Sequence, residues 1–205
     1  MRKSIVVILA AAMFLVTAAA EVSAQDVLMN SAETINQGNL KLALFPTVLF
    51  GKNGSDSLWG VAGRVGYGLL PRFDIEAKGA IFKSLKYLGI DAEYWLIKGR
   101  NANVSVALGA HLTDWQVGVG ADSSGIDTAL LFSTSPVRNL ELYGGLKLAF
   151  DSLKNSDHNV TLAHLVPGLE YRISDDLDFL AEFGIALNDS SRSYASLGLS
   201  LYLLR

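Results

Sequence analysis

The chain has 205 residues, half of them hydrophobic, with 18% charged, 19 Gly, 4 Pro and no Cys. The absence of cysteine excludes disulfides, thiolate metal sites and thiol nucleophiles, and a formal charge of −3 supplies no basic field for nucleic acid. Gly and charged residues break the apolar stretches so often that a bundle of membrane-spanning helices is excluded too.

At the N-terminus, Met1-Arg2-Lys3 is basic, residues 5–16 are apolar, and Val22-Ser23-Ala24 ends in a small-x-small pattern. This order predicts a cleavable secretory signal over residues 1–24. Its apolar run is short for a helix that must cross roughly 30 Å of hydrocarbon, which favours cleavage over anchoring. Cleavage removes Arg2, Lys3 and Glu21 and leaves 15 basic and 19 acidic residues. Residues 25–38 are polar without a clear period and read as a short periplasmic lead. One domain, residues 39–205, follows.

From Leu40 the pattern has period two, the mark of strands whose side chains alternate between faces. The first strand sets Leu40, Leu42, Leu44, Val48 and Phe50 against Lys41, Ala43 and Thr47. Residues 52–57 are turn chemistry, and the return strand sets Trp59, Val61, Val65, Tyr67 and Leu69 against Gly60, Ala62, Arg64, Gly66 and Gly68. A third strand sets Phe73, Ile75, Ala77 and Ile81 against Asp74, Glu76 and Lys78. A fourth, over residues 86–98, sets Leu88, Ile90, Ala92, Tyr94 and Leu96 against Gly89, Asp91, Glu93 and Trp95. The fifth carries Val104, Val106, Leu108, Ala110 and Leu112 over Ser105, Gly109 and His111.

Residues 113–125 fit either a strand extension or a folded loop, and the sixth strand, residues 126–134, does not declare its facing. The seventh is clean, with Leu140, Leu142, Leu146, Leu148 and Phe150 against Glu141, Tyr143, Gly145 and Lys147. After a polar loop at residues 151–159, the eighth sets Ala163, Leu165, Leu169, Tyr171 and Ile173 against His164, Gly168, Glu170 and Arg172. The ninth sets Leu177, Phe179, Ala181, Phe183, Ile185 and Leu187 against Asp178, Glu182 and Gly184. The tenth ends the chain, with Leu at 197, 199, 201 and 203 against Gly198, Ser200 and Tyr202. Pro46 and Pro167 each remove a ladder donor, so bulges or local breaks are expected there.

Ten strands of this length suit a membrane-crossing barrel, whose tilted strands need about 9–11 residues each; eight and twelve are the alternative counts. A soluble sandwich or lipocalin-like barrel has the same period, and three features decide between them. Charges on the polar faces sit mid-strand among glycines. Aromatics on the apolar faces form two bands, Phe50, Trp59 and Phe150 toward one rim and Tyr67, Phe73, Tyr94, Phe132, Tyr171 and Phe179 toward the other, as the two membrane interfaces favour. The secretory signal agrees. The end segment Ser196-x-Gly198-x-x-Leu201-x-Leu203 resembles the C-terminal signature of bacterial outer-membrane β-barrels, without the usual terminal aromatic. Residues 38–205 as a whole resemble the small outer-membrane barrels of the OmpA-like and opacity-type class. That resemblance implies an all-β, closed, antiparallel up-and-down barrel in the outer membrane of a Gram-negative bacterium. Contact with outer-membrane lipids and, through the last strand, with the barrel-assembly machinery is expected; the oligomeric state is open, with a monomer favoured.

A barrel of ten strands is narrow enough for side chains to fill. The polar faces supply Arg64, Lys78 and Lys147 against Glu76, Asp91, Glu93, Glu141, Glu170 and Glu182. Buried charges need partners, so the leading expectation is a mostly plugged lumen cross-linked by ion pairs, in a protein of structural or surface-interaction type. Because acids outnumber bases six to three in that set, a narrow cation-favouring pore is the alternative. A rim hydrolase is the third reading, with His111, His158 and His164 near Asp114, Asp151, Asp157 and Ser152. No Gly-x-Ser-x-Gly nucleophile motif is present, nor a phosphate loop, zinc spacing or calcium loop. No catalytic residue, metal site or cofactor is assigned.

Overall fold

The computed structural model describes residues 32–52, 55–99, 102–116, 122–154 and 159–203; the expected signal at 1–24 and the start of the lead lie outside them. Ten strands follow in order: β1 (Leu40–Leu49), β2 (Leu58–Leu70), β3 (Phe73–Phe82), β4 (Leu85–Lys98), β5 (Asn103–Trp115), β6 (Ser123–Val137), β7 (Leu140–Leu153), β8 (Asn159–Ser174), β9 (Leu177–Ala186) and β10 (Tyr194–Leu203). Each pairs antiparallel with the next, and β1 pairs with β10 to close the barrel. Closure leaves no strand edge to be satisfied by lipid. The expected architecture and strand count are met.

The connections at residues 71–72, 99–102, 138–139 and 175–176 are short and share an end with Leu203 of β10. Those at 50–57, 116–122, 154–158 and 187–193 are longer and lie at the other end; the 83–84 turn among them is brief. Short turns mark the periplasmic mouth of such barrels and longer loops the outer mouth.

Polarity is inverted relative to a water-soluble protein. Trp59, Ile81, Leu88 and Leu108 are each at least 60% exposed, while Arg64, Glu76, Lys78 and Lys147 are at most 4% exposed. The period-two pattern therefore turns its apolar face outward, where only hydrocarbon can solvate it, and its charged face into the lumen.

Three local features depart from, or complete, the sequence reading. The stretch at 113–125 divides, with β5 continuing through Trp115 and β6 starting at Ser123; residues 117–121 lie outside the described residues. In β6, Asp127, Ala129, Leu131 and Ser133 point inward. Its facing was hidden because residues 129–132 are apolar at both parities. At the prolines the ladder breaks without a bulge: Leu44↔Leu199 resumes as Thr47↔Ser196, and Leu165↔Ile185 as Gly168↔Glu182, in unchanged register. Register shifts occur instead near the periplasmic ends of even strands, at Gly68/Leu70, Trp95/Ile97, Thr134/Val137 and Arg172/Ser174.

Candidate functional site: the barrel lumen

Cross-strand register builds the lumen. Across β2 to β7, one inward row runs Arg64, Lys78, Gly89, His111, Gly125 and Asp151, each directly opposite the next. The row beside it runs Gly66, Glu76, Asp91, Gly109 and Asp127. Cations of the first row therefore stand diagonal to acids of the second, at a separation long side chains can bridge. Arg64 Nε lies 2.5 Å from Glu76 Oε2 and its Nη2 3.7 Å from Asp91 Oδ2. Lys78 Nζ reaches Asp91 at 2.9 Å and, three strands away, Asp127 at 3.5 Å. His111 Nδ1 is 2.9 Å from Asp127, and its Nε2 is 3.0 Å from Asp151. The result is one continuous chain of charged side chains, linked through the His111 imidazole, from β2 to β7.

Glycine makes room for it. A Cβ on Gly109 would collide with the Asp91 carboxylate, and one on Gly125 with Asp151 and, at 2.6 Å, with His111 Cε1. The glycines that interleave the charges in sequence are the seats on which those charges lie.

From β7 round to β1 the same device holds rings. Tyr143 lies over Gly168, Tyr194 over Gly184 and Phe45 over Gly198. Glu182 accepts hydrogen bonds from both phenols, at 3.1 Å from Tyr143 and 2.6 Å from Tyr194. Toward the outer mouth, Leu49, Phe82, Leu85, Tyr87 and Trp115 join an apolar cluster inside the barrel. The loop at 187–193 folds over it: Lys52 Nζ donates to the carbonyls of Asn188 and Asp189 at 3.2 and 2.6 Å. The Arg192 guanidinium lies 6.0 Å from the Trp115 ring.

The periplasmic mouth is occupied by the chain itself. The lead enters the barrel: Ala32 is fully buried against Ala107, Ala129, Leu131 and Val166, and Ile35 sits over Gly66. The Ile35 amide donates to Asp74 Oδ2 at 2.6 Å, and Asn103 Nδ2 to Glu33 Oε1 at 2.9 Å. Gly38, at φ +84°, turns the segment into β1, with its amide bonded to the Gly68 carbonyl at 2.8 Å. That φ suits glycine and strains other residues.

Of the nine charges singled out in the sequence, eight are buried in the lumen, and Glu141 is half-buried at the periplasmic mouth. The structure joins Arg64, Glu76, Lys78 and Asp91 directly; Glu93 accepts from Ser105 at 2.5 Å, on the side of the lead. Lys41, Asp74 and Asp178, which the sequence puts on the polar faces but outside that set, are buried in the same space, as are Asp127 and Asp151, which the sequence did not place there. Of the aromatics, Phe50, Trp59, Phe150, Tyr67, Tyr94, Phe132 and Tyr171 face outward, with Phe73 and Phe179 partly covered. Phe183 adds to the outer band, its ring centroid 5.7 Å from that of Phe50.

His111 and His164 do not stand at the rim beside the acids and serine of the hydrolase reading. His111 and His164 are buried inside, while Asp114 and Ser152 point outward, across the barrel wall. His164 Nε2 donates to the Arg192 carbonyl at 3.0 Å. Ser123 donates to Asp151 Oδ2 at 2.9 Å. His158 and Asp157 lie outside the described residues.

Comparison with solved structures agrees with the architecture. The COG4313 outer membrane channel from Pseudomonas putida F1 matches with a TM-score of 0.59 at 10% identity, over 87% of this chain and 100% of that one. The NanC porin matches with a TM-score of 0.51 at 10% identity, over 79% and 100%. The chain has the fold of the bacterial outer-membrane β-barrels. The N-terminal barrel of Pseudomonas aeruginosa OprF overlays more loosely, with a TM-score of 0.42 at 14% identity over 82% and 100%. No protein-family model and no curated protein match the chain.

Proposed function

We propose that the protein serves in the outer membrane as a structural or surface-interaction barrel whose lumen is kept closed by its own side chains. The observation that carries this reading is the unbroken diagonal of ion pairs, continued by the imidazole contacts of His111, from Arg64 to Asp151. An open aqueous channel would hydrate these groups separately, whereas here each charge meets a partner on a nearby strand, and Lys78 reaches three strands away to Asp127. Residues 32–38 at the periplasmic mouth and the Lys52-bound loop at the outer mouth support the same reading. The longer loops at the outer end are the proposed contact surface, and the last strand is the proposed handle for the assembly machinery.

A narrow cation-favouring pore is the second reading, favoured by the buried acids that outnumber bases among the described residues. Recording the purified protein in planar bilayers with KCl separates the two. The closed barrel gives no current, or very small currents. Steady cation-selective steps that shrink in Glu93→Gln or Glu141→Gln would replace it with the pore.

A further inference from the structure

The periplasmic mouth holds buried acceptors that none of the described residues meets. At the foot of β7 and β8, Glu141 and Glu170 stand directly opposite one another on the inward side. Like charges so placed repel, and among the described residues no ion pair reaches either carboxylate. The buried cation on β1, Lys41, has its Nζ 5.7 Å from the centre of the Tyr202 ring, and Arg172 Nε lies 3.6 Å from Asp178 Oδ1. On β5, Asn103 spends its Nδ2 on Glu33 of the lead. No hydrogen bond from the described residues reaches Asn103 Oδ1, Glu141 Oε1 or Glu170 Oε2. Asn103 and Glu170 are only 6 and 7% exposed, so water does not freely replace the missing donors. An unmet buried acceptor carries its full desolvation cost.

Register sets the spacing of these acceptors. Asn103 is opposite Ser133, and Ser133 is opposite Tyr143, the inward neighbour of Glu141. Asn103 therefore stands two strand steps, roughly 10 Å of wall, from the Glu141–Glu170 pair. A single metal ion cannot touch both ends, and among the described residues no three acids or histidines gather closely enough to hold one. Two ammonium groups joined by a short methylene chain can. Between the two ends the wall offers the buried Leu131 side chain and the Tyr143 ring, whose face also favours a cation. Entry is from the periplasm, since Glu33 is exposed and Glu141 half-buried.

We propose that the periplasmic mouth binds one linear aliphatic diamine. One ammonium sits between the Glu141 and Glu170 carboxylates, where it turns a repelling pair into two charge-assisted hydrogen bonds. The other donates to Asn103 Oδ1 and to the Glu33 carboxylate. The methylenes lie along Tyr143 and Leu131. Bound in this way, the ligand ties the lead to β7 and β8. The site is on the periplasmic side of the Arg64–Asp151 diagonal, so it stands whether or not the lumen conducts.

The test is isothermal titration calorimetry of the full-length barrel in mild detergent at low salt, with putrescine, butylamine and Mg²⁺ as probes. One putrescine per barrel is expected, bound at least about tenfold more tightly than butylamine, which carries a single ammonium. Mg²⁺ at the same concentration should leave it in place. Glu170→Gln should weaken putrescine by about tenfold or more. Glu141→Gln, at the half-open mouth, should do the same and serves if the more buried variant does not fold. Asp114→Asn, on the outer rim, should retain wild-type affinity. Equal affinity for the two amines, displacement by Mg²⁺, no saturable binding, or wild-type affinity in the glutamine variants would each overturn the proposal.

Discussion

The lumen has two sectors that solve one packing problem with different chemistry. From β2 to β7, glycines seat a diagonal of ion pairs; from β7 to β1, they seat tyrosine and phenylalanine rings. A ring needs space and one hydrogen bond. A buried charge needs space and a partner, because a lone charge out of water costs far more than a lone ring. The ionic sector should therefore tolerate geometric change no better than the aromatic one and loss of a partner much worse.

The largest effect should follow Lys78→Met, which leaves Asp91 and Asp127 facing each other without their shared cation. A destabilisation of about 3–5 kcal/mol is expected in urea unfolding from lipid vesicles. Tyr143→Phe, which removes one bond to Glu182 in the aromatic sector, should cost less, roughly 1.5–3 kcal/mol. Equal costs would erase the distinction between sectors.

Next comes the contrast between the inner and outer faces of the wall. Leu146→Arg places a charge on the lipid side of β7, next to inward Lys147, and should cost about 2–4 kcal/mol near the bilayer midplane. Wild-type folding of that variant in lipid would mean that the facing is inverted.

The seating glycines give a smaller effect with an internal control. Gly168→Ala drives a methyl into the Tyr143 ring and should cost about 1–3 kcal/mol by overpacking. Gly144, on the outer face, meets nothing closer than the Val166 carbonyl at 3.8 Å. Its alanine variant should unfold within about 0.5 kcal/mol of wild type.

How much of this was readable beforehand follows from what strand patterning encodes. Faces are encoded: the alternation over β7 separates Leu146 from Lys147 without ambiguity. Register between strands is not, so the diagonal of Arg64, Glu76, Lys78 and Asp91 is visible in sequence only as four scattered charges. Asp127 was hidden by the two-sided apolar run that follows it. Asp151 read as the start of a polar loop, although β7 continues to Leu153 and keeps Lys147, Ala149, Asp151 and Leu153 on one inward face. His111 and His164 were placed near Asp114 and Ser152 by strand height, but parity puts the wall between them. The lead's entry into the barrel rests on the amides of Ile35 and Gly38 and on single contacts of Ala32, Glu33 and Ile35, too few to set a period in the sequence.

The smallest prediction concerns the outer mouth. The Trp115 amide donates to Asp122 Oδ1 at 3.0 Å and holds that carboxyl below its usual range. A carboxyl depressed in the fold stabilises at neutral pH, and its contribution is lost as pH falls through the folded value. Amide exchange at Trp115 should therefore quicken, relative to neighbouring β5 amides, below about pH 4, the ordinary aspartate range. Asp122→Asn should abolish that pH dependence.

The closed lumen can be tested without any current. The chain has no cysteine, so Ser105→Cys introduces a single thiol at a fully buried position beside Glu93. The barrel, folded in lipid vesicles, is exposed to a small cationic thiosulfonate reagent on both sides, with Ser55→Cys in the outer loop as the accessible control. The account predicts rapid labelling at position 55 and none at 105 until the barrel is unfolded in urea. Labelling of Ser105→Cys in the folded barrel at the rate of the control would show that water and small cations pass through the lumen, and the closed-barrel account would be wrong.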